Sequence, residues 1–199
     1  MKEFINEPLS RHTTFHIGGP VDRMVIPESE EELVNFVREC VRNKVKFYVI
    51  GRGSNILARD SRIRGVVIKN TQACCDISLE GNKVTAGSST TLQKLIEFCV
   101  ANNLYGMEYL YSVPGNVGGA ISMNAGRGAR FKDHISDYLE YVRVFDGNSI
   151  RHIKKESCNF DYRDSIFRRD GGLVILSAVF NFPFQEENKG LAKIKERMD

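Results

Sequence analysis

Two stretches of the chain repeat their apolar positions at helical spacing. In residues 29–43 the apolar set is Leu33, Phe36, Val37, Cys40 and Val41, at i, i+3, i+4, i+7 and i+8. In residues 91–102 it is Leu92, Leu95, Ile96, Cys99 and Val100, at the same intervals. Each stripe predicts a helix with one buried face. Ser29 with Glu32, and Thr90 with Gln93, have the spacing of a capping box at the start of each helix. Elsewhere the pattern is that of strands. Residues 46–50 and 65–69 read as short buried strands. Glu80-Gly81-Asn82 is a turn signal between strands at 74–79 and 83–86, and Asp146-Gly147 is another between 141–145 and 149–153. Residues 174–182 predict a late strand. The charged tail at 186–199 could start a helix, with only Leu191 and Ile194 as an apolar stripe.

Strands and helices alternate early, and hairpins dominate later. The expected fold class is α+β with two lobes, residues 1–70 and 71–199. The chain has 199 residues, enough for one domain core or two small lobes sharing a ligand. It is 42% hydrophobic with a mean hydropathy of -0.29, as in soluble globular proteins. A net charge of +3, from 28 basic and 25 acidic residues, gives no reason to expect nucleic-acid binding. Five cysteines, with no Cys-x-x-Cys pair, fit a reduced, cytoplasmic protein without a metal cluster. His12, His16, His134 and His152 do not have metal-ligand spacing. No apolar run approaches the roughly 20 residues needed to span a bilayer, and the N-terminus has no signal core.

Three segments have the composition of binding chemistry. Gly51-Arg52-Gly53-Ser54-Asn55 follows a predicted strand. Its glycines permit a tight turn, and consecutive backbone N–H groups in such a turn can cradle an anion. It matches neither the three-glycine dinucleotide fingerprint nor a phosphate-binding Gly-Lys-Ser/Thr loop. Val113-Pro114-Gly115-Asn116-Val117-Gly118-Gly119-Ala120 continues to Met123-Asn124-Ala125-Gly126. Its small residues suit either a flat ligand lying on the backbone or a loop packed under the core. Phe160 to Phe167 sets Arg163 among aromatics and two acids. It suits either an anion-binding fork or a surface ion pair with Asp161 or Asp164.

Taken in order, these segments resemble the UDP-N-acetylenolpyruvoylglucosamine reductase family. The matching pieces are Thr14 to Pro20, Gly51 to Asn55, Thr85 to Gly87, Pro114 to Gly126 and Tyr162 to Phe167. The resemblance implies a two-lobed FAD-binding fold of the vanillyl-alcohol oxidase type, with non-covalent FAD between the lobes. It implies that Gly51, Arg52, Gly53, Ser54 and Asn55 hold the pyrophosphate, with Tyr48 and Ile56 in the same cofactor site. Ser112, Val113, Pro114, Gly115 and Asn116, then Gly118, Gly119 and Ala120, would run along the pyrophosphate and the isoalloxazine. Asn124, Ala125 and Gly126 would complete the wall.

By the same resemblance, NADPH is the electron donor and the substrate is the enolpyruvyl UDP-sugar of peptidoglycan synthesis. Arg163 would be catalytic, polarising the substrate carboxylate and stabilising an enolate-like intermediate. The family also has a third, substrate-binding domain carrying a proton-donating serine and an assisting glutamate. Nothing in residues 1–199 matches either, so a partner chain could supply that part. Arg127-Gly128-Ala129 replaces the family's usual Ala-Tyr-Gly. Two alternatives are a naturally short FAD-binding protein without the cell-wall activity, and a scaffold that no longer binds FAD.

Overall fold

The computed structural model describes residues 1–126 and 133–184. The replacement at residues 127–129 and the charged tail at 186–199 lie outside the described residues.

Two sheets divide the strands by sequence position. The first has the order β1 (Lys2–Pro8), β2 (Pro20–Ile26), β4 (Ile63–Lys69), β3 (Phe47–Ile50). β1 and β2 are antiparallel, and both β2 and β3 run parallel to β4. The second has the order β5 (Ile77–Glu80), β6 (Lys83–Gly87), β9 (Val174–Asn181), β7 (Leu139–Phe145), β8 (Ile150–Lys154), and every pairing is antiparallel. The α+β class and the predicted hairpins stand. The strand expected from residue 74 begins only at Ile77, because residues 71–76 turn back on themselves and the Cys75 thiol bonds to the Thr71 and Gln72 carbonyls.

Helix α1 (Glu30–Arg42) packs Leu33, Phe36, Val37 and Cys40 onto the first sheet against Val25, Val66 and Ile68. The same cluster contains Phe145, Val174 and Leu176 from the second sheet, so one apolar core runs through both halves. Glu30 and Arg143 add a bidentate ion pair across the join, at 2.7 and 2.8 Å. Val41, assigned to the buried stripe by its spacing, is 45% exposed: it sits at the helix end, beside Gly147, past the edge of the core.

Ser29 caps α1 as expected, its Oγ accepting the Glu32 amide. Glu32 does not close the box. Its carboxylate accepts from the Glu28 amide and the N-terminal ammonium instead. Helix α2 (Leu92–Ala101) is capped by Thr91, whose Oγ1 accepts the Lys94 amide. The expected pair, Thr90 and Gln93, does other work. Gln93 donates to the Tyr111 and Val113 carbonyls, and the Thr90 hydroxyl is buried without a partner among the described residues.

Two short helices complete the second half. α3 (Val117–Ser122) lies within the second glycine-rich segment, and α4 (Ile166–Arg169) follows the Arg163 patch.

Candidate functional site

The first glycine-rich turn leaves the C-terminal end of β3, and the second segment crosses directly to it. Asn116 makes the join. Its Oδ1 accepts the Arg52 amide at 3.0 Å, and its Nδ2 donates to the Ser89 carbonyl. The side chain is 3% exposed, so both of its polar ends are spent within the protein. Gly51 leaves room for it, since a Cβ there would stand 2.8 Å from Asn116 Oδ1. Ser54 adds a second link by donating to the Pro114 carbonyl at 2.7 Å.

Behind this join lies a buried polar group that the sequence did not flag. Asn70 donates to Ser88 Oγ at 2.9 Å, and Ser89 Oγ donates to Asn70 Oδ1 at 2.7 Å. The Asn70 amide bonds to the Ile50 carbonyl, and the amides of Val117 and Gly118 bond to the carbonyls of Thr90 and Ser88. The polar residues between β6 and α2 thus fasten both glycine-rich segments to the frame. Such pairing spares buried polar groups a desolvation penalty. Cys74 closes the group, its amide bonding to Ser89 Oγ. Burial first, and Glu30 second, push its thiol up to about 12, so it stays a neutral filler.

Parts of both segments reach the surface. Arg52, Asn55, Ser112, Pro114 and Gly119 are exposed around the join, while Gly51, Ser54, Val113, Gly115 and Gly118 are half-buried in it. A Cβ on Gly119 would meet nothing within 4 Å. By contrast, Gly53 has φ +75, and a Cβ there would overlap the His12 carbonyl. On Gly118 a Cβ would stand 2.9 Å from Ser88 Cβ. These glycines serve packing inside the protein, whereas Gly119 opens onto space.

The third segment is tied to the end of α3. Ser165 Oγ donates to the Ser122 carbonyl at 2.8 Å, and Asn124 Nδ2 donates to the Asp161 carbonyl at 3.1 Å. Asn124 is 5% exposed, in the left-handed region at φ 41, and its Oδ1 has no partner among the described residues. Asp161 and Asp164 exchange backbone hydrogen bonds across the Tyr162-Arg163 turn, where Arg163 has φ 55. Asp164 pairs with Arg168 and Arg169, and Arg163 is exposed with no ion-pair partner among the described residues. Of the two readings of this patch, the surface ion pair of Arg163 is therefore absent.

Of the other residues expected at a site, Tyr48 is exposed and the rest are wholly or partly buried. Ile56 packs against the core of Leu9, Met24 and Val67. Tyr48 is 40% exposed, with Lys46 5.2 Å from its ring centroid. Ala120, within α3, and Ala125, just past its end, are buried and joined by a 2.8 Å backbone hydrogen bond. Gly126 packs against Asp133 and His134. Among the described residues no cluster of three or more His, Cys, Asp or Glu could hold a metal, and no helix is long and apolar enough to cross a membrane.

Residues 21–152 match a family model described as an FAD binding domain. The chain is 37% identical over 196 residues to the UDP-N-acetylenolpyruvoylglucosamine reductase of Clostridium perfringens, covering 98% of this chain and 62% of that protein. It is 33% identical over 199 residues to the enzyme of the same name from Caldanaerobacter subterraneus, covering 63% of it. The chain thus spans less than two thirds of these curated relatives. The crystal structure of a UDP-N-acetylenolpyruvylglucosamine reductase from Thermus caldophilus superposes with a TM-score of 0.78 at 28% identity, over 98% of this chain and 66% of that one. A cholesterol oxidase from Brevibacterium sterolicum, at 10% identity and a TM-score of 0.66 over 92% of this chain and 38% of its own, shares the fold alone.

Proposed function

The chain belongs to the FAD-binding domain family, and we propose that it holds FAD non-covalently across its two glycine-rich segments, as the flavin part of a reductase like its relatives. The observation that carries this reading is the hydrogen-bonded union of the two segments, with residues of both exposed. Asn116 and Ser54 join them, and Gly119 opens a space that a single methyl group would enter. The fit to the cofactor is chemical as well as steric. The rim presents a guanidinium and small polar residues to a diphosphate, and small residues to a flat ring.

In this reading residues 1–70 form one FAD-binding lobe and the chain from residue 71 onward forms the second. Arg52, Ser54 and Asn55 face the diphosphate. Gly115 and Gly119 let the flavin lie against backbone, and Asn124 has a spare buried acceptor beside it. When bound, FAD supplies the hydride chemistry, and the protein supplies orientation and charge. Arg163, exposed and held in a fixed turn, is available to bind a carboxylate on the substrate and to balance negative charge as it develops there.

The proposal extends by similarity to the relatives' full activity. NADPH is then the electron donor and the enolpyruvyl UDP-sugar of cell-wall synthesis the substrate, in the cytoplasm. Whatever covers the substrate side beyond these residues, more chain or a partner chain, completes the site.

An absorbance spectrum of the purified protein, before and after denaturation, tests the reading. Flavin bands released into solution on unfolding are the expected result. A colourless protein that also fails to take up added FAD would remove the proposal.

A further inference from the structure

Lys69, half-buried at the first glycine turn beside the exposed Arg52, lacks the counter-charge that its burial calls for. Lys69 ends β4 in register with Ile50, the residue before the turn. Its side chain is half-buried, and its ammonium lies 3.0 Å from His12 Nδ1. On its other side His12 places Nε2 3.0 Å from Glu7 Oε1. An ammonium can only donate, so a charged Lys69 assigns Nδ1 as the acceptor in this contact. The charge of Glu7 is therefore separated from Lys69 by the His12 ring, and Glu7 has Arg11 beside it at 3.7 Å. Among the described residues neither Lys69 nor Arg52 has a carboxylate within ion-pair distance.

This arrangement is unfavourable by itself. Burial, and then the neighbouring Arg52, pull the Lys69 ammonium below its ordinary value. A desolvated cation facing a second cation calls for an anion. The turn itself is bound to the same segment that holds Lys69. The Thr14 amide bonds to the Gly53 carbonyl at 3.1 Å, and Gly53 lies flat on the His12 carbonyl. His12 thus ties Lys69 and the turn into one unit. The segment from Thr14 to Pro20, conspicuous in the sequence, acquires a purpose as the strap of that unit.

We propose that Lys69 is a phosphate-binding residue of the flavin site, held at the first glycine turn by His12 so that its ammonium, with Arg52, meets the diphosphate of the dinucleotide. The inference rests on the FAD reading and adds to it a residue 14 positions beyond the glycine turn, which ends at Asn55. A compact ammonium suits the task as a point charge on phosphate.

The test uses flavin-free wild-type protein with ADP as the probe. Lysines are acetylated with an N-hydroxysuccinimide ester and read by mass spectrometry. Saturating ADP should protect Lys69 while exposed Lys2 and Lys154 remain modified. In parallel, Lys69→Met should weaken ADP and FAD about tenfold and flatten their salt dependence, with riboflavin, which has no phosphate, unaffected. Lys69→Arg should recover part of the loss. If wild type binds neither ADP nor FAD, the flavin reading falls and takes this inference with it. If wild type binds both, yet Lys69 is acetylated equally with and without ADP, or Lys69→Met binds ADP like wild type, only the role of Lys69 is overturned. The protection experiment needs no variant, so it decides the matter even if Lys69→Met fails to fold.

Discussion

At the scale of single residues, the glycines separate by what a methyl group would strike. Gly53 cannot be replaced cheaply. Its φ of +75 is strained for other residues, and its missing Cβ makes room for the His12 carbonyl. Gly53→Ala should lower stability by about 2 kcal/mol or more, read as a fall in Tm without ligand. Gly119→Val should not lower stability, because valine is a better helix former than glycine and its Cβ meets open space, yet it should abolish flavin uptake, seen by fluorescence titration. Full flavin occupancy in that variant would place the cofactor elsewhere. Asn116 is the complementary case, because both of its polar ends are used. Asn116→Ala leaves the Arg52 amide and the Ser89 carbonyl unpaired and should cost about 3 kcal/mol, as a lower urea midpoint at unchanged slope.

At the scale of elements, the long amphipathic helices and the turn-marked hairpins followed from local pattern, whereas α3 did not. Val-Gly-Gly-Ala-Ile-Ser contains two glycines, each costing about 1 kcal/mol in a helix, and it reads as a loop. Its helical form is imposed from outside, by the carbonyls of Ser88 and Thr90 that take its first amides. β1 escaped notice for another reason. It is an exposed edge strand, and polar residues and Asn6 at φ 57 break its alternation. The start of α2 shows how closely spaced hydroxyls defeat a spacing rule. Thr90 and Thr91 are both plausible caps, and only the register of the helix selects Thr91. Thr91→Ala should cost about 1 kcal/mol, while Thr90→Val, which removes a buried hydroxyl without a partner, should be neutral or stabilising. Thermal denaturation of the pair distinguishes them.

At the scale of the whole molecule, the shared core makes the two sheets unfold together. Phe145, Val174 and Leu176 reach into the cluster under α1, and the Glu30–Arg143 pair spans the same boundary. Burial pushes the thiols of Cys74, Cys99 and Cys158 up to about 12. These thiols sit in the two largest apolar clusters. A folded-state value above the unfolded one means that the folded protein disfavours the thiolate. Stability is then fully present below the ordinary thiol value of 9.0 and is lost as pH rises towards about 12. Circular dichroism should show a single alkaline transition in that window. Iodoacetamide at neutral pH should modify half-buried Cys75 well before the four buried cysteines.

The sequence by itself determined what depends on neighbours a few residues apart. These are the two amphipathic helices, the hairpin turns, and the glycine-rich segments that mark where backbone approaches a ligand. It also held the ordered motifs that point to a flavin family. Tertiary structure alone decided which distant residues meet. His12 and Lys69 are 57 positions apart, and Arg52 and Asn116 are 64 apart. A lone asparagine, serine or lysine has no periodic signature. Its partner is set by how the two sheets pack, because a buried polar group is stable only where the fold brings its complement within hydrogen-bonding distance.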